Sequence, residues 1–377
     1  MNNHWIVIND DELKLTNKVV EFLQGEFCPP DSDPMWSVEY FRWKLGQINP
    51  AGAGYISIAI LNDKVVGTVS LTKKRLLING EELIGGEVGD TYSSSSIRHK
   101  CRALELSQKD NDPNSYINKS IFGRLASDVR ERAEANGISF IYGTPNNNAY
   151  PGWVNKLGYF DSKKFQIESF SRPSAKVVIK KYPSLKIFSP VLKKAEKFSV
   201  SLQKHIYSSI LCKKFTFEPC IPSSEELDKL WIRLKPINGF SLVRDSSYWN
   251  HRYLGNPIAK YSFFIIREKK HIAGVVVTRF FLAGEGRRSV YIAEWMKDDK
   301  IPMYYLLSEV VNYYRDFDVE VFNFWCDKYV RARGYFSRNM FFFRQRVPII
   351  IADTSFGRLT QNMDGNINFY RGTSDTV

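Results

Sequence analysis

Two carboxylates, Glu87 and Asp90, stand three residues apart in Glu87-Val-Gly-Asp-Thr-Tyr92. A carboxylate beside a cleft can take a proton, the step that frees an amine to attack a carbonyl. On a strand, side chains three apart point to opposite faces, so only one of the two faces a cleft unless a bulge intervenes. Either acid serves equally well as a strand-end cap or an ion-pair partner. His99, in the basic loop Ser93-Ser-Ser-Ser-Ile-Arg-His-Lys100, is another proton acceptor, although a lone His in such a loop is more often a passive surface group. The helix Ile121–Glu134 follows later. Ser120 can cap it, and Lys119 and Arg124 can neutralise a phosphate at its positive end. Tyr142 and Tyr150 supply hydroxyls, and Asn146, Asn147 and Asn148 supply amides that also suit a plain turn.

The elements that must position these groups are legible in part. Ile138-Ser-Phe-Ile-Tyr142 reads as a buried strand, ended by Thr144-Pro145 and the Asn triplet. Pro151-Gly152-Trp153 opens a helical turn, and Gly158 closes it at a position suited to positive φ.

The chain also repeats itself weakly. Ser37–Leu45, Asn49-Pro50, Tyr55–Leu61 and Val65-Val-Gly67-Thr-Val69 give a helix, a stop and a hairpin with glycine in its second strand. Ser246–Leu254, Asn256-Pro257, Tyr261–Ile266 and Ile272-Ala-Gly274-Val-Val-Val277 give the same order. Proline stops the helix, and glycine inside a strand marks a bulge or a close backbone approach. Asn155-Lys-Leu-Gly158-Tyr-Phe160 is matched by Arg331-Ala-Arg-Gly334-Tyr-Phe336. The expectation is an α/β chain of two tandem domains, 1–175 and 216–377, each a mostly antiparallel mixed sheet flanked by helices. Residues 176–215 connect them.

That connector carries Lys180, Lys181, Lys186, Lys193, Lys194, Lys197, Lys204, Lys213 and Lys214 against the single acid Glu196. Leu192, Ala195, Leu202, Ile206 and Ile210 recur at helical spacing. A linker helix with solvated lysines is the favoured reading, and peripheral contact with an anionic membrane through 180–214 the alternative. The net charge of +13 favours anionic partners. Five scattered cysteines with no C-x-x-C pair, and only five histidines, argue for a reduced chain without a metal site. With neither a signal-like start nor a long apolar run, a cytoplasmic protein is expected.

The segment Tyr142–Phe160, with the preceding helix, resembles the GCN5-related N-acetyltransferase (GNAT) fold. There a splayed strand and the next helix hold the pantetheine arm of acyl-CoA, and the pyrophosphate sits on the N-terminus of a helix preceded by Arg/Gln-x-x-Gly-x-Gly/Ala. With residues 101–119 lifted out as an insertion, Arg98-His-Lys-Ser120-Ile-Phe122 occupies that loop. Arg98 matches, whereas Ser120 and Phe122 stand where small residues are usual. The resemblance implies a site for acetyl-CoA made by Thr91, Tyr92, Arg98, Lys119, Ser120, Ile121, Phe122, Gly123, Arg124 and Asn146 to Asn148, with no metal. It implies Glu87, then Asp90, as base, and His99, Tyr142 and Trp153 toward the acceptor. Many members carry a tyrosine acid where this chain has Val154, leaving Tyr150 as its substitute. The second copy has Asp298 and Asp299, and no glycine, in the equivalent turn, so acyl-CoA is not expected there.

The chain is most similar to tandem GNAT proteins of bacterial surface-polysaccharide gene sets such as those for O-antigen. That similarity implies N-acetylation of an amino-sugar carried on a nucleotide, with no nucleic-acid partner. The rivals are a tandem GNAT peptidyltransferase that uses aminoacyl-tRNA in cell-wall synthesis, and a binding or scaffold protein that has lost chemistry.

Overall fold

The computed structural model describes residues 5–27, 36–95, 97, 120–161, 167–192, 194–195, 198, 214–283, 286–327, 342–354 and 367–371. Arg98, His99, Lys119, the insertion 101–119, most of the distal connector and Arg331–Phe336 lie outside the described residues.

The strand β1 (Ile6–Asn9) and helices α1 (Thr16–Phe27) and α2 (Val38–Leu45) lead into the meander β2 (Tyr55–Leu61), β3 (Lys64–Ile78) and β4 (Glu81–Ser93). Helix α3 (Ile121–Ala135) returns the chain to β5 (Phe140–Gly143), which runs parallel to β4. Then come α4 (Tyr150–Lys156), β6 (Phe160–Asp161), β7 (Ile167–Pro173) and α5 (Ala175–Lys181). The second half repeats the order. After β8 (Phe215–Pro219), α6 (Ser224–Leu234) and β9 (Phe240–Leu242), α7 (Ser246–Trp249) widens into a π-turn through Leu254. A meander of β10 (Ser262–Glu268), β11 (His271–Ala283) and β12 (Arg287–Lys297) follows, then α8 (Met303–Tyr313) and β13 (Val321–Asp327), parallel to β12. The chain closes with β14 (Phe342–Val347), β15 (Ile350–Asp353) and β16 (Ile367–Asn368).

The copies agree in detail. Both Asn-Pro stops form side-chain-closed turns: Asn49 Oδ1 accepts from the Ala51 N–H at 3.0 Å, and Asn256 Oδ1 from Ala259 at 2.9 Å. Both inner hairpins slip register beside their glycine, after Ala59↔Gly67 and after Ile266↔Gly274. The first glycine is also a close approach. A Cβ on Gly67 would lie 2.8 Å from Ile121 Cγ2, so its absence lets α3 lie on the sheet. There α3 buries Ile121, Leu125, Ala126, Val129 and Ala133, each large aliphatic stabilising the packing by about 1.5–3 kcal/mol.

The two sheets are mixed and exchange strands. The first runs β1-β2-β3-β4-β5-β15-β6, with β9 on the far end of β3 and β16 beside β9; the second runs β14-β7-β13-β12-β11-β10-β8. Thus β7 pairs along its length with β13, while β15, from near the C-terminus, pairs with β5. The expected division near residue 175 is therefore crossed by ladder hydrogen bonds in both directions. Phe140, Tyr142, Phe240, Ile351 and Phe369 form the core these exchanged strands share.

Helices α2 and α7 meet through equivalent residues. Trp43 Nε1 donates to the His251 carbonyl at 2.9 Å, and His251 Nε2 lies 3.1 Å from the Trp43 carbonyl. The rings stack at 4.9 Å. A carbonyl only accepts, so Nε2 carries the imidazole proton.

Candidate active-site cleft

Strands β4 and β5 are paired for only two residues, Gly86↔Ile141 and Glu87↔Tyr142. Beyond them the strands part, and a cavity of about 230 Å³ opens between Glu87–Tyr92 on one side and Gly143–Asn146 on the other. Trp153, Ile350, Trp36, Tyr40 and Lys44 also line it. Gly143 permits the close start of this opening, since a Cβ there would sit 2.6 Å from Val88 Cγ2.

The sequence left one of Glu87 and Asp90 outside a cleft unless a bulge intervened. The bulge is present. The β3–β4 register jumps from Ser70↔Gly89 to Thr68↔Tyr92, and Asp90 has φ 44°. This rare conformation turns Asp90 to the same side as Glu87, and both line the cavity. Their surroundings differ. Asp90 Oδ2 accepts from Lys44 Nζ at 2.9 Å and Ser70 Oγ at 2.6 Å, while Thr68 Oγ1 donates to the Asp90 carbonyl at 2.8 Å. Lys44 is 2% exposed, so this buried ion pair pins the bulge. Glu87, 3% exposed, is joined to Lys74 Nζ at 3.2 Å.

At the start of α3, Ser120 caps as expected, its Oγ accepting from the Gly123 N–H at 2.9 Å. The Arg124 N–H donates to the Ser120 carbonyl, so an anion here would meet the N–H groups of Ile121 and Phe122, with exposed Arg124 beside them. The large residue at 122 is accommodated by a small one elsewhere. A Cβ on Gly152 would lie 2.5 Å from the Phe122 ring, which meets Trp153 edge-on at 5.1 Å. Phe122 thus fills the gap between α3 and α4.

Other expected residues are dispersed. Thr91, Tyr92, Asn146 and Trp153 line the cavity. Asn146 Oδ1 is engaged by the N–H groups of Asn148 and Ala149, while Asn147 and Asn148 are exposed and off the cavity. Tyr142 does not line the cavity; its ring packs in the core with Phe240 and Phe369. Strand alternation alone does not say which face of β5 meets a cleft. The Tyr150 hydroxyl donates to Asp161 Oδ2 at 3.0 Å, and burial together with that carboxylate raises its pKa. This bond turns it from the cavity. Tyr150→Phe should therefore leave turnover unchanged and cost about 1 kcal/mol in urea unfolding, the usual worth of one hydrogen bond. Lys44, Lys74, Ser70, Trp36, Tyr40 and Ile350 were not foreseen. The only signal for Lys74 was the basic run Lys73-Lys74-Arg75 inside an apolar strand, and Lys44 had none. Among the described residues no cluster of three or more His, Cys, Asp or Glu could hold a metal, and no helix is long and apolar enough to cross a membrane.

In the second sheet, described side chains occupy the place where β12 and β13 part. Here the bulge falls at Ala293, between Thr278↔Ile292 and Val277↔Glu294, and the acid beside it is Glu294. It is fully buried and accepts from the Tyr248 and Tyr253 hydroxyls at 2.6 and 2.5 Å. Tyr370 packs on Trp295 at 4.6 Å, and Trp295 on Phe324, where β12 and β13 part.

No family model and no curated protein matches the sequence. The fold, however, matches solved structures along nearly the whole chain. A GCN5-related N-acetyltransferase from Anabaena variabilis superposes with a TM-score of 0.59 at 10% identity, covering 93% of this chain and 73% of that one. A probable N-acyltransferase of unknown function from Enterococcus faecalis gives 0.58 at 9% identity, covering 94% and 74%. The N-myristoyltransferase of Saccharomyces cerevisiae with bound myristoyl-CoA gives 0.58 at 10% identity, covering 94% and 83%. At such identities the likeness establishes the fold, which is GNAT-like.

Proposed function

We propose that the protein is an N-acetyltransferase that uses acetyl-CoA and acts through the β4–β5 cleft. The carrying observation is the two-residue pairing of these strands, beyond which they open onto a cavity flanked by Glu87 and the pinned bulge at Asp90. Glu87 takes a proton from the acceptor ammonium, directly or through one water, and frees the nitrogen lone pair. As the nitrogen bonds to the thioester carbon, backbone N–H groups of the bulge donate to the developing oxyanion. The C–S bond then breaks, and the second nitrogen proton leaves on the thiol. Lys44 and Ser70 hold Asp90, and hence those N–H groups, in place; Asp90 has a positioning role.

The acetyl-CoA phosphates suit the α3 start near Ser120 and Arg124. The second sheet supports the first and binds no acyl-CoA. The acceptor we propose is an amino-sugar on a nucleotide, for surface polysaccharide made in the cytoplasm. This finer reading is supported by the sequence resemblance and by the basic character of the chain.

Calorimetric titration with acetyl-CoA tests the reading. We expect saturable binding, weakened about tenfold by Arg124→Glu, because a charge-assisted hydrogen bond is worth about 1.5–3 kcal/mol. Thiol release should then appear with nucleotide-linked amino-sugars. Absence of acetyl-CoA binding would sink the transferase reading, and turnover only with other amines would sink the sugar.

A further inference from the structure

A second, smaller hollow lies where α2 and the π-turn after α7 meet β3. Its walls include Lys44, Thr72, Lys74, Arg75, His251 and Arg252, and no acidic side chain faces it. The acids of this region sit behind the cations: Asp90 on Lys44, Glu87 on Lys74, and Glu82 and Asp245 on Arg75. Arg252 is buried with its guanidinium 5.8 Å from the Trp43 ring centre, and this aromatic face is one of the groups that orient it.

Thr72 gives an independent signal. It is 3% exposed, it lines this hollow, and its Oγ1 has no hydrogen-bond partner among the described residues. A buried hydroxyl without a partner is destabilising, so a protein retains one where something else completes it. The hollow measures about 40 Å³. At roughly 10–15 Å³ for each water-sized position, it takes a group of about three heavy atoms, the size of a carboxylate or one edge of a phosphate.

The hollow is coupled to the cleft. Lys44 lines both cavities, and Lys74 of the hollow is the ion-pair partner of Glu87 in the cleft. Thr72 faces Glu87 directly across the β3–β4 ladder. An anion seated against Thr72 and Arg252 therefore lies one side chain from the proposed base.

We propose that this hollow binds an anionic group, a carboxylate or a phosphate, carried by the amine acceptor, and so sets which amine reaches Glu87. The link to the acceptor rests on the acyl-transfer reading; anion binding itself does not. The anion bridges Thr72 Oγ1 and the Arg252 guanidinium, and fixes the acceptor by charge and by one directional hydrogen bond. Neutral amines of the same shape are poor substrates.

The test is calorimetric titration of the full-length chain with inorganic phosphate and, separately, with sodium acetate. We expect one of them to bind saturably, which identifies the anion class. Arg252→Gln should weaken it roughly tenfold, as expected for a lost charge-assisted bond, and Thr72→Val roughly fivefold. Thr72→Val should melt no lower than wild type, because it deletes an unpartnered hydroxyl while keeping the shape. This variant keeps the test decisive if Arg252→Gln fails to fold. Arg124→Glu should not change the anion affinity. Binding that follows Arg124 rather than Thr72, or no saturable binding of either anion, overturns the proposal. Anion binding at Thr72 without any acetyl-CoA binding would leave this site standing and remove the acyl-transfer reading instead.

Discussion

Glu87→Gln should lower turnover by about 10²–10⁴-fold, the usual contribution of a positioned general base. Acetyl-CoA affinity should stay within about threefold, because the residue acts on the acceptor and not on the donor. Glutamine keeps the size of the side chain and removes its capacity to hold a proton. The change also breaks the ion pair with Lys74, at 3.2 Å, so some loss of stability accompanies it. Lys74→Met is the control. It breaks the same pair but keeps the carboxylate. If the rate loss came from the broken pair alone, both variants would show it equally. Wild-type turnover in Glu87→Gln would remove Glu87 from the chemistry.

Lys44→Met should cost about 3–5 kcal/mol in denaturant unfolding, because it leaves a buried carboxylate without its partner. Asp90 has 7% side-chain exposure, and its remaining side-chain donor would be Ser70. The double variant Lys44→Met/Asp90→Asn should recover most of that loss, with a coupling of about 1–3 kcal/mol. A cost below about 1 kcal/mol for Lys44→Met would mean that the pair does not hold the bulge.

How far the sequence foretold this site depended on whether a signal was local. The α3 limits, its Ser120 cap and the positive φ of Gly158 are near-neighbour effects, and each was readable; at Gly67 the glycine marked a bulge or close approach, but not its distant partner Ile121. The partners of the acids were not readable. Lys44 reaches Asp90 only because α2 packs on β3, beside the bulge, which no periodicity in Val38–Leu45 encodes. Phe122 looked like a departure from the GNAT loop; its tolerance depends on Gly152, a full helix and strand later. Ile350 was the least legible. It belongs to a short apolar strand with no marker of its destination, and it enters the cleft because β15 pairs with β5.

The place of β15 between β5 and β6 bears on how the molecule is made. The ribosome releases β5 about two hundred residues before β15, so for that part of synthesis one edge of β5 has no strand to cover it. Strand β7 in turn emerges before either of its neighbours, β13 and β14. Such distant pairings favour late, concerted folding over stepwise assembly of one half and then the other. The cleft, although its acids Glu87 and Asp90 precede β5, gains Ile350 only some two hundred residues after that strand.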